Sequence, residues 1–406
     1  MLHEGDNMMG VKRTNRSAAL RILHEQGSIS RKRLAESIKL TPAAITKIVG
    51  EMIAEGIVVE GRTLPSDGVG RREVMLELNS RARCALGVLI NLNQALLSAV
   101  WLDGSSIFFE EMKIVSPAPA EETVKLISKR LMELAEENGL ARESMVGLGV
   151  AIRGVTAPGD RSLHNSFGAL DAEDFPICER FEEYTSLPTV LSNNVRALFA
   201  AHMFLSKNKN SDSQFFLRCE YGIGAALSMN DRIYAGTSQQ SAEIGHIPVV
   251  KRGGKPCTCG KCGCLETIAS PTAIREEAIS ILSPEATPVL WNMSRGKEPS
   301  QLSLDNVLDA ARYGDERVAA IVDKAVLVLG GALKSVIYIL DPGKIVLYGR
   351  MFENSYYLSK LIAEVREGVD AGHSVSVEKS QYNCTLENIA AGVLAVEDFL
   401  DKGGIL

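Results

Sequence analysis

The feature that most limits the folds open to this chain is a change of pattern near residue 80 of its 406 residues. Before that point, short amphipathic helical segments precede two β-type segments joined by a turn rich in Gly, Pro and Asp. From about Arg83, apolar β-type segments alternate with helical segments, and no short-period repeat is evident. Such alternation is typical of α/β folds. The sequence therefore predicts a small N-terminal domain followed by a larger α/β body.

The composition is that of an ordinary globular protein, with 46% hydrophobic and 23% charged residues. The longest uncharged apolar run is Ala325 to Leu333, whereas a membrane-spanning helix needs roughly 18 to 20 apolar residues. The N-terminus lacks the apolar segment after a basic start that marks a secretion signal. We therefore expect a cytoplasmic protein that does not enter a membrane.

The N-terminal segment carries the pattern of a helix-turn-helix. A first helix is predicted over Asn15 to Gln26, and Ser30 is suited to cap the second. The third helix has Thr41 as its cap and Pro42 in its first turn, and apolar residues then recur at helical spacing. Small or hydrogen-bonding side chains opposite that stripe, with one cation, would fit against base edges in a major groove. The side chains predicted to contact DNA are Thr41, Ala43, Ala44, Thr46 and Lys47.

Basic residues accompany these helices. Three cations crowd the first turn of the second helix, where they oppose the helix dipole and are poorly placed for stability alone. The segments Ile57 to Arg62 and Arg72 to Leu78 predict a wing of two strands around a basic tip. Residues 1–80 carry a net charge of +2 and the remainder −8, which is the sign expected for a DNA-binding N-terminus. The cations predicted to contact DNA are Arg31, Lys32, Arg33, Arg71 and Arg72.

Four of the eight cysteines fall within eight residues, and they are Cys257, Cys259, Cys262 and Cys264. In a reducing compartment such a cluster is typical of a metal site rather than of a disulfide framework. The spacing C-x-C-x4-C provides three thiolates, and His246 upstream can provide the fourth ligand of a tetrahedral Zn²⁺. A cluster of reduced, unliganded cysteines is the alternative.

Two segments, AEIGHIPV (Ala242 to Val249) and CTCGKCGCLE (Cys257 to Glu266), resemble motifs of the ROK family, named for repressors, open reading frames and sugar kinases. The segment LTPAAITKIVGEMIAEGIVVE resembles the reading head of the family's sugar-responsive repressors. The resemblance implies a winged helix-turn-helix domain over residues 1–80 and two actin-like α/β lobes with a sugar cleft between them. The lobes would span residues 81–200 and 201–384, with the zinc loop in the second. The C-terminal helix, residues 385–406, would return to the first lobe.

The resemblance also implies roles for individual residues. A structural zinc ion would be bound by His246, Cys257, Cys259 and Cys264, with Cys262 a spare thiol or an alternative ligand. Amide and carboxylate groups would bind the hydroxyls of a sugar. The positions of the family's sugar site are occupied here by Asn193, Asn194, Glu243, His246 and Glu266, and four of the five retain the family's residue. The alternative is that these Asn and Glu side chains only satisfy backbone groups of their own loops.

The segments that serve phosphoryl transfer in the family's kinases depart from the family pattern. The catalytic Asp is replaced by Asn194, whose carboxamide cannot accept a proton at neutral pH. The other departures are Leu89, Asn91 and Leu92 in the first phosphate loop, Glu220 in the second, and Tyr348 and Arg350 beside Gly349 in the nucleotide segment. Because phosphoryl transfer needs all of these parts together, the sequence predicts a body without kinase activity.

We therefore expect a DNA-binding transcription regulator, a repressor of sugar-uptake or sugar-utilisation genes, that acts on a double-stranded operator as a homodimer or homotetramer. A sugar or sugar phosphate would close the lobes and change the spacing of the DNA-reading heads. Two alternatives stay open for the whole chain: an active sugar kinase with an accessory DNA-binding domain, and a regulator that answers to a protein partner. For the N-terminal segment alone, the alternative is a helical hairpin packed on another domain.

Overall fold

The structure is a computed structural model that describes residues 8–64, 73–156, 161–206, 213–295, 298–370, 372–381 and 385–405. The chain folds into two compact units, Met1–Asn208 with Cys384–Leu406, and Lys209–Asn383. Helices and sheets occur in both units, so the predicted α/β class is confirmed. The division with limits at residues 80, 200 and 384 stays a prediction. Among the described residues, no helix is both long enough and apolar enough to cross a bilayer.

The first unit begins with a winged helix-turn-helix, which we call the front domain. Its elements are α1 (Met8–Gln26), β1 (Ser28–Ser30), α2 (Arg31–Ser37), α3 (Pro42–Ala54), β2 (Val58–Leu64) and β3 (Glu73–Leu78). The strands form an antiparallel sheet in the order β1-β3-β2. The hydroxyl oxygens of Ser30 and Thr41 accept hydrogen bonds from backbone N–H groups in the first turns of α2 and α3, so both predicted caps are confirmed.

A five-stranded mixed sheet forms the centre of the rest of the first unit. In chain order the elements are β4 (Cys84–Ile90), β5 (Gln94–Trp101), β6 (Ser106–Lys113), β7 (Ala118–Pro119), α4 (Ala120–Glu137), β8 (Met145–Ile152), β9 (Val155–Thr156), β10 (Leu163–Asn165), β11 (Leu170–Asp171), β12 (Glu173–Phe175), α5 (Ile177–Thr185), β13 (Thr189–Asn193) and α6 (Asn194–Leu205). The sheet order is β13-β8-β4-β5-β6. Strands β4 and β8 are buried along their whole length, which explains their uninterrupted apolar sequences.

The second unit repeats this arrangement. Its elements are β14 (Ser213–Cys219), β15 (Ile223–Met229), β16 (Arg232–Ile233), α7 (Glu266–Ala269), α8 (Pro271–Ser280), α9 (Pro288–Ser294), α10 (Leu304–Arg312), α11 (Glu316–Leu340), β17 (Lys344–Tyr348), α12 (Ser355–Arg366) and β18 (Ser376–Lys379). The sheet order is β16-β15-β14-β17-β18. In both sheets an antiparallel group of three strands is extended by two parallel strands. The predicted pair of actin-like lobes is therefore confirmed.

The chain ends with α13 (Thr385–Asp401), which packs in the first unit against β4, β8 and α6. The helix backbone lies very close to the sheet. A Cβ at Gly149 in β8 would lie 1.7 Å from the carbonyl oxygen of Ala391, so only glycine fits there. The C-terminal helix thus completes the core of the first unit.

The residues after α13 join the C-terminus to the front domain through a buried arginine. Arg16 of α1 is 1% exposed, and its Nε donates a hydrogen bond to the carbonyl of Gly403 at 2.7 Å. Its Nη1 donates to the Glu55 carboxylate at 2.9 Å. Gly403 has φ +73, which favours glycine, and a Cβ there would lie 2.9 Å from the Cβ of Arg16. A buried cation therefore holds the C-terminal segment against α1.

Replacing Arg16 with alanine is expected to lower the free energy of unfolding of the first unit by about 2 to 3 kcal/mol, because a buried carbonyl loses its donor and an ion pair is broken. Urea unfolding monitored by circular dichroism would measure the loss. Arg21→Ala is the matched control. Arg21 lies on the same helix and bonds to Asp401 at 2.7 Å, but it is 35% exposed and should contribute less than about 1 kcal/mol. Equal losses in the two variants would contradict this account of Arg16.

Candidate functional site

The exposed end of α3 is the surface of the front domain suited to contact DNA. The Thr41 hydroxyl accepts the backbone N–H of Ala44 at 3.3 Å, and the Thr46 hydroxyl donates to the carbonyl of Pro42 at 2.7 Å. These bonds fix the first turn of the helix. The exposed side chains there are Thr41, Ala43, Thr46 and Lys47, and Ala44 is half-buried. The structure brings the predicted residues onto one surface, and their contact with DNA stays a prediction.

The cations of α2 differ in their surroundings. The guanidinium of Arg31 donates to the carboxylate of Glu60 in β2 at 2.7 Å, a pair that the sequence did not predict. Lys32 and Arg33 are exposed in the same turn. Because an arginine that already pairs with a carboxylate gains less from a phosphate, Arg31 is a weaker candidate than its sequence position suggests. The predicted contacts of the wing, Arg71 and Arg72, lie outside the described residues.

The cysteine cluster of the second unit forms a candidate metal centre. Among the described residues, one ligand atom from each of four side chains lies within 4.8 Å of the others, and the four residues are His246, Cys257, Cys259 and Cys264. Cys262 is exposed and is not one of them. The structure therefore brings together the four ligands that the resemblance implied, and the cluster could bind a metal ion.

The donor atoms fit a tetrahedral metal. Cys257 Sγ lies 3.5 Å from His246 Nδ1, and Cys259 Sγ lies 3.6 Å from Cys264 Sγ. Ligands at ordinary zinc distances would stand about 3.5 to 3.8 Å apart in a tetrahedron. Three sulfur atoms and one imidazole nitrogen are also the ligand set that zinc favours over hard cations. These two distances and the donor chemistry therefore agree with a zinc site.

The thiols of the cluster differ in acidity. Burial raises the pKa of the Cys257 thiol, and its hydrogen bond to the Glu266 carboxylate at 2.9 Å raises it further. Burial also raises the pKa of Cys264. Burial would raise the pKa of Cys259 too, but the backbone N–H of Lys261 and the neighbouring thiols hold it below its ordinary value. The pKa of Cys259 is therefore lowered where those of the other two thiols are raised.

Two carboxylates flank the imidazole of the cluster. His246 Nε2 lies 4.0 Å from Glu243, and His246 Nδ1 lies 3.5 Å from Glu266. The short turn Ile244–His246 holds this arrangement close to β15, since a Cβ at Gly245 would lie 2.1 Å from the carbonyl oxygen of Ile223. His246 can thus bind a metal through Nδ1 while its other nitrogen faces a carboxylate that orients the ring.

The amide pair of the first unit lies at the start of α6. The Asn193 oxygen accepts the backbone N–H of Val195 at 2.8 Å, and its amide nitrogen donates to the carbonyl of Gly154 at 2.9 Å. Asn194 is 5% exposed, and its amide donates to the Asn91 oxygen at 3.4 Å. The sequence singled out Asn91 as a departure but not as a partner of Asn194. Asn193 holds its loop, and contact of either amide with a sugar stays a prediction.

In the segment that the resemblance assigns to a nucleotide, two of the departing residues are bonded to other groups of the chain. The carboxylate of Glu220 accepts the backbone N–H of Arg350 at 2.9 Å. The guanidinium of Arg350 pairs with Asp305 of α10 at 2.8 Å. Tyr348 is only 2% exposed, because it ends β17 inside the core. A triphosphate there would meet the Glu220 carboxylate where the family's kinases have glycine.

The model of the ROK family matches residues 98–391, well over half of the chain. This chain belongs to the ROK family. A model of winged helix-turn-helix DNA-binding domains matches residues 13–59, which agrees with the front domain seen in the structure. The resemblance found in the sequence is therefore confirmed for both parts.

Several curated relatives of this ROK protein are named as repressors. The N-acetylglucosamine repressor of Escherichia coli O6:H1 is 26% identical over 349 residues, 84% of this chain and 82% of the relative. The DNA-binding transcriptional repressor Mlc of Escherichia coli K12 is 24% identical and covers 98% of this chain and 96% of its own. The xylose repressor of Bacillus spizizenii is 23% identical and covers 96% of this chain and 97% of its own.

Solved structures show the same fold. A ROK family transcriptional regulator described as a homologue of the Escherichia coli Mlc protein superposes with a TM-score of 0.80 at 20% identity and covers 97% of this chain and 98% of its own. A ROK family glucokinase from Streptomyces griseus has a TM-score of 0.64 at 21% identity, and its coverage is 77% of this chain and 98% of its own. At these identities the likeness concerns the fold alone.

Proposed function

We propose that this ROK protein is a DNA-binding transcription regulator that represses genes for sugar uptake or utilisation. The observation that carries the proposal is the presence, in one chain, of a winged helix-turn-helix with an exposed α3 end and a ROK body. Relatives named as repressors are similar over nearly the whole chain, front domain included. By contrast, the glucokinase structure covers only 77% of this chain.

On DNA, the exposed end of α3 lies in the major groove, where Thr46 and Lys47 reach base edges or phosphates. Lys32 and Arg33, with the wing tip, contact the phosphate backbone. Two heads on one operator require at least a homodimer, so a homodimer or homotetramer belongs to the proposal. The front domain spans residues 1–80, and a DNA-bound regulator of this kind works in the cytoplasm.

The effector is a sugar or a sugar phosphate. The residues that we propose for binding it are Asn193, Asn194, Glu243, His246 and Glu266. Amide groups offer a donor and an acceptor, and carboxylates accept from hydroxyl groups, so this set suits a polyol. A sugar changes the affinity for DNA only if it binds one conformation of the protein more tightly than another.

The metal of the His–Cys cluster is a structural zinc ion. Four protein ligands complete a tetrahedron, so no position is left for a substrate or a reactive water. The cluster joins the turn Ile244–His246 to the loop that precedes α7. Zinc would therefore hold His246 and Glu266 in fixed positions, which is the support that this chain's own effector residues need.

We expect no kinase activity in the body. Asn194 cannot act as the base for a sugar hydroxyl, and Glu220 lies hydrogen-bonded in the nucleotide segment. In a coupled assay with ATP and glucose, N-acetylglucosamine, mannose or xylose, ADP release should stay at the rate without sugar. Sugar-dependent turnover that is lost in Asn194→Ala would contradict this expectation and favour the rival function of a kinase with an accessory DNA-binding domain.

A selection experiment tests the proposed function. The purified full-length protein is used to select duplexes from fragments of its own genome, and each sugar is then titrated into the complex. We expect enrichment of fragments upstream of sugar-utilisation genes and release by at least one sugar. If no duplex is selected, the proposal of a DNA-binding regulator is contradicted. Selective DNA binding that no sugar alters would contradict the sugar effector and favour a protein partner instead.

A further inference from the structure

Helix α6 connects the amide pair to the front domain. It begins with the cap Asn193 and with Asn194, and it ends at Leu205. At its end the imidazole of His24 in α1 stacks on the ring of Phe204, with centroids 3.9 Å apart and an interplanar angle of 26°. His24 Nε2 lies 3.0 Å from the carbonyl oxygen of Phe204. Since a carbonyl can only accept, Nε2 carries the proton and donates.

This contact suits the end of a helix. The last four carbonyls of an α-helix have no partner within the helix, and that of Phe204 is one of them. An imidazole donor also suits the negative end of the helix dipole. His24 therefore joins α1 to α6 by a hydrogen bond and by ring stacking at the same place.

The body of α6 is suited to move as one rigid element. The helix has 12 residues, about 18 Å in length, and all of them except Met203 and Leu205 are buried. The turn at Gly104 packs against its end, and a Cβ on Gly104 would lie 3.1 Å from the Phe204 ring. Because a close-packed interior does not deform continuously, a displacement of one end of α6 reaches the other.

The front domain is held separately at another part of α1. Arg16 bonds to Gly403 at 2.7 Å and Arg21 bonds to Asp401 at 2.7 Å, so the end of α13 and the segment after it hold the middle of α1. His24 lies beyond both, in the last turn, from which the chain continues through β1 to α2 and α3. A displacement at His24 would therefore tilt the end of α1 against a fixed middle and change the orientation of α3.

We propose that α6 and the His24–Phe204 contact transmit the state of the amide pair to the DNA-reading helix. The inference rests on the proposed function, because it names how the effector residues regulate DNA binding. When a sugar hydroxyl accepts a hydrogen bond from the Asn194 amide, Asn194 loses its hydrogen bond to Asn91. The start of α6 is then released from the turn between β4 and β5, where Asn91 lies. The shift weakens the contact at His24, and coupling between sites of this kind is typically about 5- to 150-fold in affinity.

The test compares His24→Ala with the conservative variant His24→Gln and with the control His373→Ala. His373 is an imidazole of the second unit that bonds to Asp370 at 3.0 Å. The probes are a duplex selected by the wild-type protein and the sugars N-acetylglucosamine, N-acetylglucosamine 6-phosphate, glucose and xylose. Calorimetry measures the Kd for each sugar, and fluorescence anisotropy measures the Kd for DNA with and without saturating sugar.

In the wild type and in His373→Ala, we expect the active sugar to raise the Kd for DNA about tenfold. In His24→Ala the rise should fall below about twofold, while the Kd for the sugar stays within about twofold of wild type, since His24 does not touch the amide pair. His24→Gln should recover part of the response, because its amide N–H can still donate to the Phe204 carbonyl.

A tenfold response in His24→Ala would overturn this inference and leave the proposed function intact. A wild type that binds the duplex but responds to none of the sugars would contradict the sugar effector itself, and the inference with it. If His24→Ala does not fold, Phe204→Leu removes the stacked ring alone and should also reduce the response. A full response in that variant would overturn the inference as well.

Discussion

If zinc fills the His–Cys cluster as we propose, the variant Cys264→Ser is expected to bind no zinc and to unfold at a temperature about 10 °C below that of the wild type. Cys264 is fully buried, and its Sγ lies 3.6 Å from that of Cys259, so a hydroxyl there removes one thiolate from the centre of the cluster. A structural zinc ion contributes its binding free energy to folding. Metal content by plasma mass spectrometry and unfolding by differential scanning calorimetry would measure both effects.

Cys262→Ser is the matched control for that prediction. Its thiol is exposed, it stands two residues from Cys264, and it does not belong to the group of four ligands. We expect this variant to retain one zinc ion per chain and to unfold at the wild-type temperature. Loss of zinc in Cys262→Ser together with retention of zinc in Cys264→Ser would mean that Cys262, and not Cys264, is the fourth ligand. Wild-type protein that contains no zinc would contradict the proposal of a structural zinc ion.

The variant Lys47→Glu is expected to raise the Kd for the selected duplex about 100-fold at 0.1 M salt. Lys47 is exposed near the start of α3, where a reversed charge both removes an attraction and places a carboxylate against the phosphates. Fluorescence anisotropy over a series of salt concentrations would measure the affinity. The slope of log Kd against log salt should fall by at least about the amount that one phosphate contact contributes.

Lys129→Glu is the matched control, because it makes the same change of charge on α4, outside the front domain, at a side chain that is 75% exposed. It should leave the Kd for the duplex within about twofold of wild type. Arg31→Ala should have a smaller effect than Lys47→Glu, since Arg31 already pairs with Glu60. Equal losses in Lys47→Glu and Lys129→Glu would show that net charge alone, and not the end of α3, determines the affinity.

The elements that the sequence predicted well are those set by neighbours along the chain. The start of α3 was predicted at Thr41 and Pro42, and the structure places the cap and the first turn there. Strand β4 begins at Cys84, next to the change of pattern that the sequence places at about Arg83. By contrast, α1 begins at Met8 and not at Asn15. The sequence does not predict the first residues of this helix, because they carry no apolar stripe that would mark one.

The candidate sites divide in the same way. The cysteine spacing predicted the ligand cluster, since thiolates so close in sequence can only meet within one loop. The hydrogen bond between Asn194 and Asn91 spans 103 positions of the chain, and that between Arg16 and Gly403 spans 387. No local pattern marks either pair. The contact of His24 with Phe204 is of this kind too, and a histidine at the end of a helix gave no signal for it.

The amino-acid sequence by itself determined the class of the protein: a capped reading helix, a wing, an α/β body and a thiolate-rich loop, all of which depend on interactions within a few residues. Only the tertiary structure decided which side chains remain exposed for a ligand, which are engaged by the chain itself, and how α1 is joined to α6 and to the C-terminus. The physical reason is that caps, periodicity and ligand spacing act locally, whereas pairing between distant residues depends on how the sheets and helices pack.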